Sequence, residues 1–482
     1  VYISKITLDN FKSFKGYGHE IDLNKGLNFF VGDNNTGKTT VLAAVNFITE
    51  KKMRDAVISK GTKDDDYVAV TMIIRGEFTK YIASDASLKK FLSYVQTDDK
   101  GEFLQVQRSS KYETIKQSKK DVELTIEKIR LYNPDTKQYE NPSGIDNPFR
   151  ALFSTQFVWA DDMPSDYMDF GSTKLCGKLI NATASAFFKS EKWDKFEKAH
   201  REAFTEGDDS LSSAVKELAS DLEKVISEQY GSTKVSFQFT LPEASGFIKS
   251  GDIVLDDDGI LTAANAKGTG MQRALALAVI QVFARVSSKM GGTVPIVFLL
   301  DEPETFLHPR AQSKLLTALD KISETNQIFI STHSPYLLKH FRKTNHDLFI
   351  FSKNKGMSTV DSSVTLSTFG TYSPTISEIN YFAFGVTTSE FHNELYGFVQ
   401  AKAVAIDPKN DDGKKFEKYL TANGLSLTKQ WVQERGGVPQ PAYDTTIQTY
   451  IRHSIHHPEN KQNAEYTEAE LEASISELLN LI

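Results

Sequence analysis

The sequence predicts an α/β fold built on a mainly parallel sheet, with a helical insertion and a mainly helical carboxyl-terminal region. Two stretches carry the prediction. The first is GDNNTGKTT, residues 32–40, with an apolar strand before it (Leu27, Phe29, Phe30, Val31) and a helical pattern after it over 41–48. The second is IVFLLDEPE, residues 296–304, an unbroken apolar run that ends in carboxylates. Such a run reads as a strand buried on both faces of a parallel sheet.

The first stretch fits GxxxxGK[ST], with Gly32, Gly37, Lys38 and Thr39 in the fixed places. Small residues let the backbone N–H groups of Asn34, Asn35 and Thr36 curl around a β-phosphate, and the helix that follows, from Thr40 onward, points its positive end at the anion. Lys38 then bridges the β- and γ-phosphates, and the Thr39 hydroxyl faces Mg²⁺. At the carboxyl end of the second stretch, Asp301 sits where such sheets bind ligands and can hold Mg²⁺ through water. Glu302 is placed to orient or deprotonate an attacking water. Together the two stretches predict a chain that binds a nucleoside triphosphate with Mg²⁺ and hydrolyses it.

Composition narrows the alternatives. At 482 residues the chain has room for about two or three domains. Its net charge of -7, from 56 basic and 63 acidic residues, argues against a whole-surface nucleic-acid binder, while leaving room for a local basic groove. The single cysteine, Cys176, excludes an internal disulfide and reads as a small buried hydrophobe. No window approaches the length of about 18 apolar residues that a membrane span needs, and nothing reads as a signal peptide. A cytoplasmic protein with no membrane partner is expected.

Residues 2–9 alternate like an edge strand and run into NFKSF, residues 10–14. An opening of ISKITLDNFKSFK followed by GDNNTGKTT resembles the RecF, SMC and OLD branch of ABC-type P-loop ATPases. The resemblance implies that the basic residue of NFKSF, Lys12, approaches the phosphates; a solvated surface lysine is the alternative. Residues 64–78 are strand-like, as in the antiparallel lobe of such ATPases, and 84–145 read as an insertion in that lobe with short strands at 103–106 and 122–131. FSTQFVW, residues 153–159, places Gln156 where ABC ATPases carry a glutamine that touches Mg²⁺ and water. An ordinary polar strand residue is the other reading.

Residues 172–229 are helical in pattern, with Leu211, Val215, Leu218, Leu222, Val225 and Ile226 on one stripe, read first as core and second as a partner surface. Strands are expected at 235–241 and 252–255. Gly268, Thr269 and Gly270 then precede an apolar helix over 274–286, the place of the ABC signature. The match is partial, with no serine and no glycine pair. In the resemblance this turn contacts the γ-phosphate held by another subunit. ETFLHPRAQ, residues 304–312, resembles the segment that follows the carboxylates in OLD-type ATPases. STHSPYLL, from residue 331, puts His333 in the place of the switch histidine. A complete site therefore needs Lys38, Asp301 and Glu302 from one copy and the 268–270 turn from a second. ATP-dependent head-to-tail dimers, assembled into a higher homo-oligomer, are the expectation.

The expected divisions are a first ATPase lobe over 1–171, a helical arm over 172–230, a second lobe over 231–353, and a helical oligomerisation or partner region over 354–482. In the last region VAIDPKNDD, residues 404–412, has the wrong spacing for a Toprim metal site and reads as a solvated loop. Arg452 and His457 match the Rx4-6H pattern of HEPN ribonucleases, although Pro458 ends the helix at once; a helical cap is the alternative. The whole looks most like stand-alone anti-phage defence ATPases of the PARIS type. That likeness implies a separate Toprim nuclease toxin (AriB-like) as partner and a phage protein as trigger. A RecF-like DNA-repair ATPase is the competing expectation.

Overall fold

A computed structural model describes every residue except 51, 118–119, 143, 172–173, 230, 232, 242–243, 290–295, 306, 339–340, 343 and 363–365. Two of these, residues 172–173, open the expected helical arm, and residue 306 falls within ETFLHPRAQ. The chain divides into two compact units, one of Val1–Ala160, Thr293–Thr305 and Gln312–Ile482, the other of Asp161–Gly292 and Phe306–Ala311.

The first unit holds a six-stranded sheet. Its order is Ser154–Val158, Ile296–Asp301, Ile328–Ser331, Leu27–Val31, His346–Asn354 and Met357–Ser362. Neighbours among the first five are parallel, and the last strand is antiparallel. Leu27–Val31 and Ile328–Ser331 are buried at every residue, which is why these strands lack polar alternation. An antiparallel sheet accompanies it, running Gln138–Glu140, Arg130–Asn133, Gly101–Ser109, Ala69–Arg75, Tyr2–Asp9 and His19–Asp22.

The helix Lys38–Thr49 touches both sheets and joins them in one core through Val41, Leu42, Val45, Phe47 and Ile48. Full burial of each such side chain stabilises by about 1.5–3 kcal/mol. Its far end is fixed by Arg108, 2% exposed, which donates to the Ile48 carbonyl at 2.9 and 3.2 Å. A cation on the last carbonyls of a helix satisfies orphan acceptors and complements the dipole. The helix is thus held at its end by the antiparallel sheet while its start carries the phosphate loop.

The carboxyl-terminal residues have a core of their own, built from Phe391, Leu395, Val399, Phe416, Ile451, Ile475 and Leu478. A helix near the end of the chain spans Glu468–Leu479 and opens with a Thr467–Glu470 capping box. Residues 404–406 belong to the helix Ser389–Ile406, and Asp407 caps the short turn after it. No strand end is present there to hold a Toprim carboxylate.

In the second unit the helices include Leu175–Ala184, Glu191–Phe204, Lys216–Gln229 and Thr269–Lys289, with a hairpin of Val254–Asp257 and Ile260–Ala263. Cys176 is buried, as read. Two expectations need correction. Residues 235–241 form no strand; Val235 instead donates its N–H to the Glu223 carboxylate at 2.9 Å, so its backbone is satisfied by a side chain. The arm's apolar stripe is not core either. Leu211, Leu218, Leu222 and Val225 are exposed, and Lys216–Gln229 has no buried residue. Burial in this unit gathers instead where Thr269–Lys289 meets Pro164–Met168 and Leu175–Ala184, at Tyr167, Met168, Leu175, Ala276, Leu277 and Ile280. Trp193, whose ring meets Phe188, Phe196 and Phe247 at 4.9, 5.2 and 5.7 Å, centres a half-exposed aromatic cluster.

Candidate functional site

The phosphate loop takes its shape from residues that tolerate unusual backbone. Gly32 has φ 136°, Asn35 φ 62° and Gly37 φ 108°. Gly37 caps the helix Lys38–Thr49 with no side-chain hydrogen bond, so no side chain claims the first helical N–H groups. Thr36 closes the loop by donating to the Asp33 carbonyl at 2.8 Å. Lys38 Nζ donates to the carbonyls of Gly32 and Asp33 at 2.9 and 2.8 Å. Burial pulls its ammonium down to about 8, against the raising effect of Glu302, Asp301 and Asp33. A polyphosphate favours the charged form of such a lysine.

Parallel pairing sets Asp301 opposite Ser331. Asp301 is 6% exposed and accepts from Thr39 Oγ1 at 2.9 Å, and Ser331 Oγ donates to the same carboxylate oxygen. A hydroxyl and a carboxylate side by side at a phosphate loop suit Mg²⁺, which takes one or two protein oxygens and fills its octahedron with phosphate and water. Thr39 and Asp301 would hold it.

Glu302 has φ 46°, a conformation that a glutamate rarely adopts. Its N–H donates to the Ser331 carbonyl at 3.0 Å, and its Oε1 lies 3.3 Å from His333 Nε2. Burial first and Lys38 second lower the His333 pKa, so the ring is neutral near pH 7.

These groups line one cavity of about 390 Å³, which brings Lys12, Asn34, Asn35, Gly37, Lys38, Thr39 and Thr40 together with Glu302 and His333. Lys12 reaches it from a turn whose flanking Phe11 and Phe14 are buried. Desolvation, with Lys52 nearby, lowers its pKa. Gly32 and Thr36 shape the loop from outside that lining.

Ser13 also lines the cavity and meets Thr40 Oγ1 at 3.1 Å. The family resemblance implies that its segment, residues 10–14, lies near the nucleotide, but sequence reasoning singled out only Lys12 there. Gln156 is not among the lining residues. It pairs with Phe298, well short of the strand end at Asp301, and its amide donates to the Phe157 carbonyl at 3.2 Å. The strand register, invisible in the sequence, keeps this glutamine from the expected place.

The 268–270 turn lies in the second unit. Gly268 and Thr269 are exposed, and Thr269 and Gly270 open the helix Thr269–Lys289. Gln272 braces the turn by donating to the carbonyls of Asn265 and Lys267 at 2.9 and 2.7 Å. The two residues of the HEPN pattern have different partners. Arg452 donates to Asn393 at 2.8 Å and stacks on Tyr396, whereas His457 faces Glu459 at 3.2 Å.

Known proteins match along the same stretch. The family model described as an AAA ATPase domain (AAA_15) matches residues 2–338. The Old nuclease of Escherichia phage P2 is 25% identical over 357 residues, covering 70% of this chain and 57% of that protein. The endonuclease GajA of Bacillus cereus strain VD045 is 24% identical over 358 residues, covering 71% and 57%. The DNA replication and repair protein RecF of Streptococcus equi subsp. zooepidemicus is 25% identical over 391 residues, covering 75% and 99%. The chain thus spans 57% of the length of the first two relatives. With an ABC-type P-loop fold and a model matched over most of its length, the chain belongs to the AAA ATPase domain family, on its OLD- and RecF-like side.

Proposed function

We propose that this chain binds ATP with Mg²⁺, hydrolyses it, and uses its nucleotide state to hold and regulate a separate nuclease. The observation that supports hydrolysis is the convergence of Lys38, Thr39 and the Glu302–His333 pair on one cavity, with Asp301 hydrogen-bonded to Thr39. Lys38 and the loop N–H groups hold the phosphates. Mg²⁺, when bound, neutralises charge between the β- and γ-phosphates. Glu302 accepts the proton of the attacking water, and His333, neutral and 3.3 Å from it, holds that carboxylate in place. In the expected dimer, a second copy supplies Gly268, Thr269 and Gly270 at a helix N-terminus to complete the γ-phosphate site.

For output we favour a PARIS-like role, with this chain acting as AriA, an AriB-like Toprim nuclease as the restrained effector, and a phage protein as the trigger. Two relatives are named as nucleases, which supports a nuclease-linked role. The RecF match over 99% of that protein favours the second reading, a DNA-repair ATPase.

The test is a tagged pull-down of Glu302→Gln with ATP from the native host, read by mass spectrometry and native mass. A stoichiometric Toprim protein on a homo-oligomer is the expected result. A bare dimer carrying DNA, with duplex-stimulated and salt-sensitive hydrolysis, would transfer the assignment to repair.

A further inference from the structure

The turn that carries His333 is held by a carboxylate that the site above does not use. Glu304 is 8% exposed and is not among the cavity's lining residues. Its Oε1 accepts from Thr332 Oγ1 at 2.5 Å and from the backbone N–H of His333 at 3.0 Å. The Thr332 oxygen accepts in turn from the N–H of Ser334 at 2.9 Å. One carboxylate oxygen therefore fixes three successive residues of the switch turn. Oε2 is buried with no hydrogen-bond partner among the described residues, and burial, with Glu302 adding to it, pushes the carboxyl pKa up. A bare buried oxygen is costly, so fold stability alone gives no reason for a carboxyl group here.

The opposite side of the turn is tied as well. Glu302 donates its N–H to the Ser331 carbonyl and to Ser331 Oγ at 3.0 and 3.2 Å. Ser331 thus fixes Glu302 to the start of the turn, and Glu304 fixes the part that bears the imidazole. Between these two ties, His333 Nε2 meets Glu302 Oε1 at 3.3 Å.

We propose that Glu304 is a positioning residue for ATP hydrolysis: it clamps Thr332 and His333 so that the imidazole stays in register with Glu302. The inference rests on the reading of this cavity as an ATP-hydrolysing site. Glu304 acts only through the turn, since it lies outside the cavity lining.

The experiment uses the full chain and measures ATP turnover and equilibrium ATP binding for wild type, Glu304→Gln, Glu304→Ala and Thr332→Val. Each Glu304 variant is repeated in a His333→Ala background. The histidine-ring NMR signal of His333, assigned with that variant, is recorded without nucleotide. Glu304→Ala should lower kcat about 10–100-fold, the scale of a roughly 1 Å misplacement, with ATP affinity within about threefold. Glu304→Gln keeps an acceptor oxygen and should recover most of kcat.

In the His333→Ala background, Glu304→Ala should cost less than about twofold more, because one act is removed once. Thr332→Val removes the other half of the clamp and carries the test if Glu304→Ala does not fold. An unchanged kcat, additive losses, or ATP affinity falling in step with kcat would overturn the proposal. If wild type binds ATP without turning it over, the hydrolysis reading fails by itself. The ring signal then decides: displaced in Glu304→Ala it supports the clamp, and unmoved it removes it.

Discussion

Replacing Gly32 by alanine tests the phosphate loop at the place where the fold leaves it least room. A Cβ at Gly32 would stand 2.1 Å from the Phe351 carbonyl oxygen and 3.1 Å from its carbon. An ordinary carbon–oxygen contact is about 3.3 Å, so loop or strand must give by roughly 1 Å. The strand cannot do so freely, because His346–Asn354 is paired on both sides, to Leu27–Val31 and to Met357–Ser362. At φ 136° the new side chain also occupies a strained backbone region, costing about 1–3 kcal/mol. Overpacking adds about 1–3 kcal/mol.

The sum, roughly 2–6 kcal/mol, corresponds to a fall in Tm of about 3–8 °C for a unit of this size if the fold absorbs all of it. If the loop moves instead, ATP affinity should fall at least tenfold, or about 1.4 kcal/mol. Thermal unfolding and titration with a fluorescent ATP analogue divide the cost between the two. Gly397→Ala is the control. Its added Cβ meets nothing within 4 Å in the helix Ser389–Ile406, so it should stabilise by about 0.5–1 kcal/mol. Gly32→Ala with both Tm and ATP affinity at wild-type values would refute the steric reasoning.

Glu302→Gln should bind ATP and turn it over about 10²–10³-fold more slowly, with the nucleotide-bound dimer trapped in native mass; normal turnover would remove Glu302 as the base. Lys38→Ala should instead lose ATP affinity, measured by the same titration, because the cation that meets the phosphates is gone. Acid should destabilise the carboxyl-terminal core through His392, which is fully buried, bonded to Ser474 at 3.0 Å, and held down to about 3 by burial and by Arg452. The unfolded chain binds this proton at about 6.5 and the folded chain does not, so this stability is complete above about pH 6.5 and falls by about 1.4 kcal/mol per pH unit as pH drops towards 3. Urea unfolding at two pH values should show that slope, and His392→Gln should flatten it. Arg452→Ala and His457→Ala should leave any RNA cleavage by the purified protein unchanged, since the two side chains have different partners.

The groups that carry phosphate chemistry were largely legible because their signals are local. GDNNTGKTT needs only its own glycines and the strand and helix around it, and IVFLLDEPE announces a buried strand by its apolar length alone. His333 followed from its place at the end of a further apolar strand. Gln156 shows the limit of this reasoning. Its residue type and chain order agreed with expectation, but strand register put it opposite Phe298, away from the catalytic end. The arm failed for a related reason. A stripe with Leu218 and Leu222 tells which face is apolar, not what covers it, and within the described residues both remain exposed.

The sequence by itself determined the fold class, the phosphate loop, the placement of Asp301 and Glu302 at the end of a buried strand, and the helical character of the carboxyl-terminal region. These depend on neighbours in the chain, whose geometry peptide bonds already restrict. Only the tertiary structure decided that Ser13 meets Thr40, that Ser331 shares Asp301 with Thr39, and that Glu304 grips the turn bearing His333. Those contacts join segments far apart in sequence. Their existence depends on which strands lie side by side and in what register, and long-range packing sets that after the local pattern has been read.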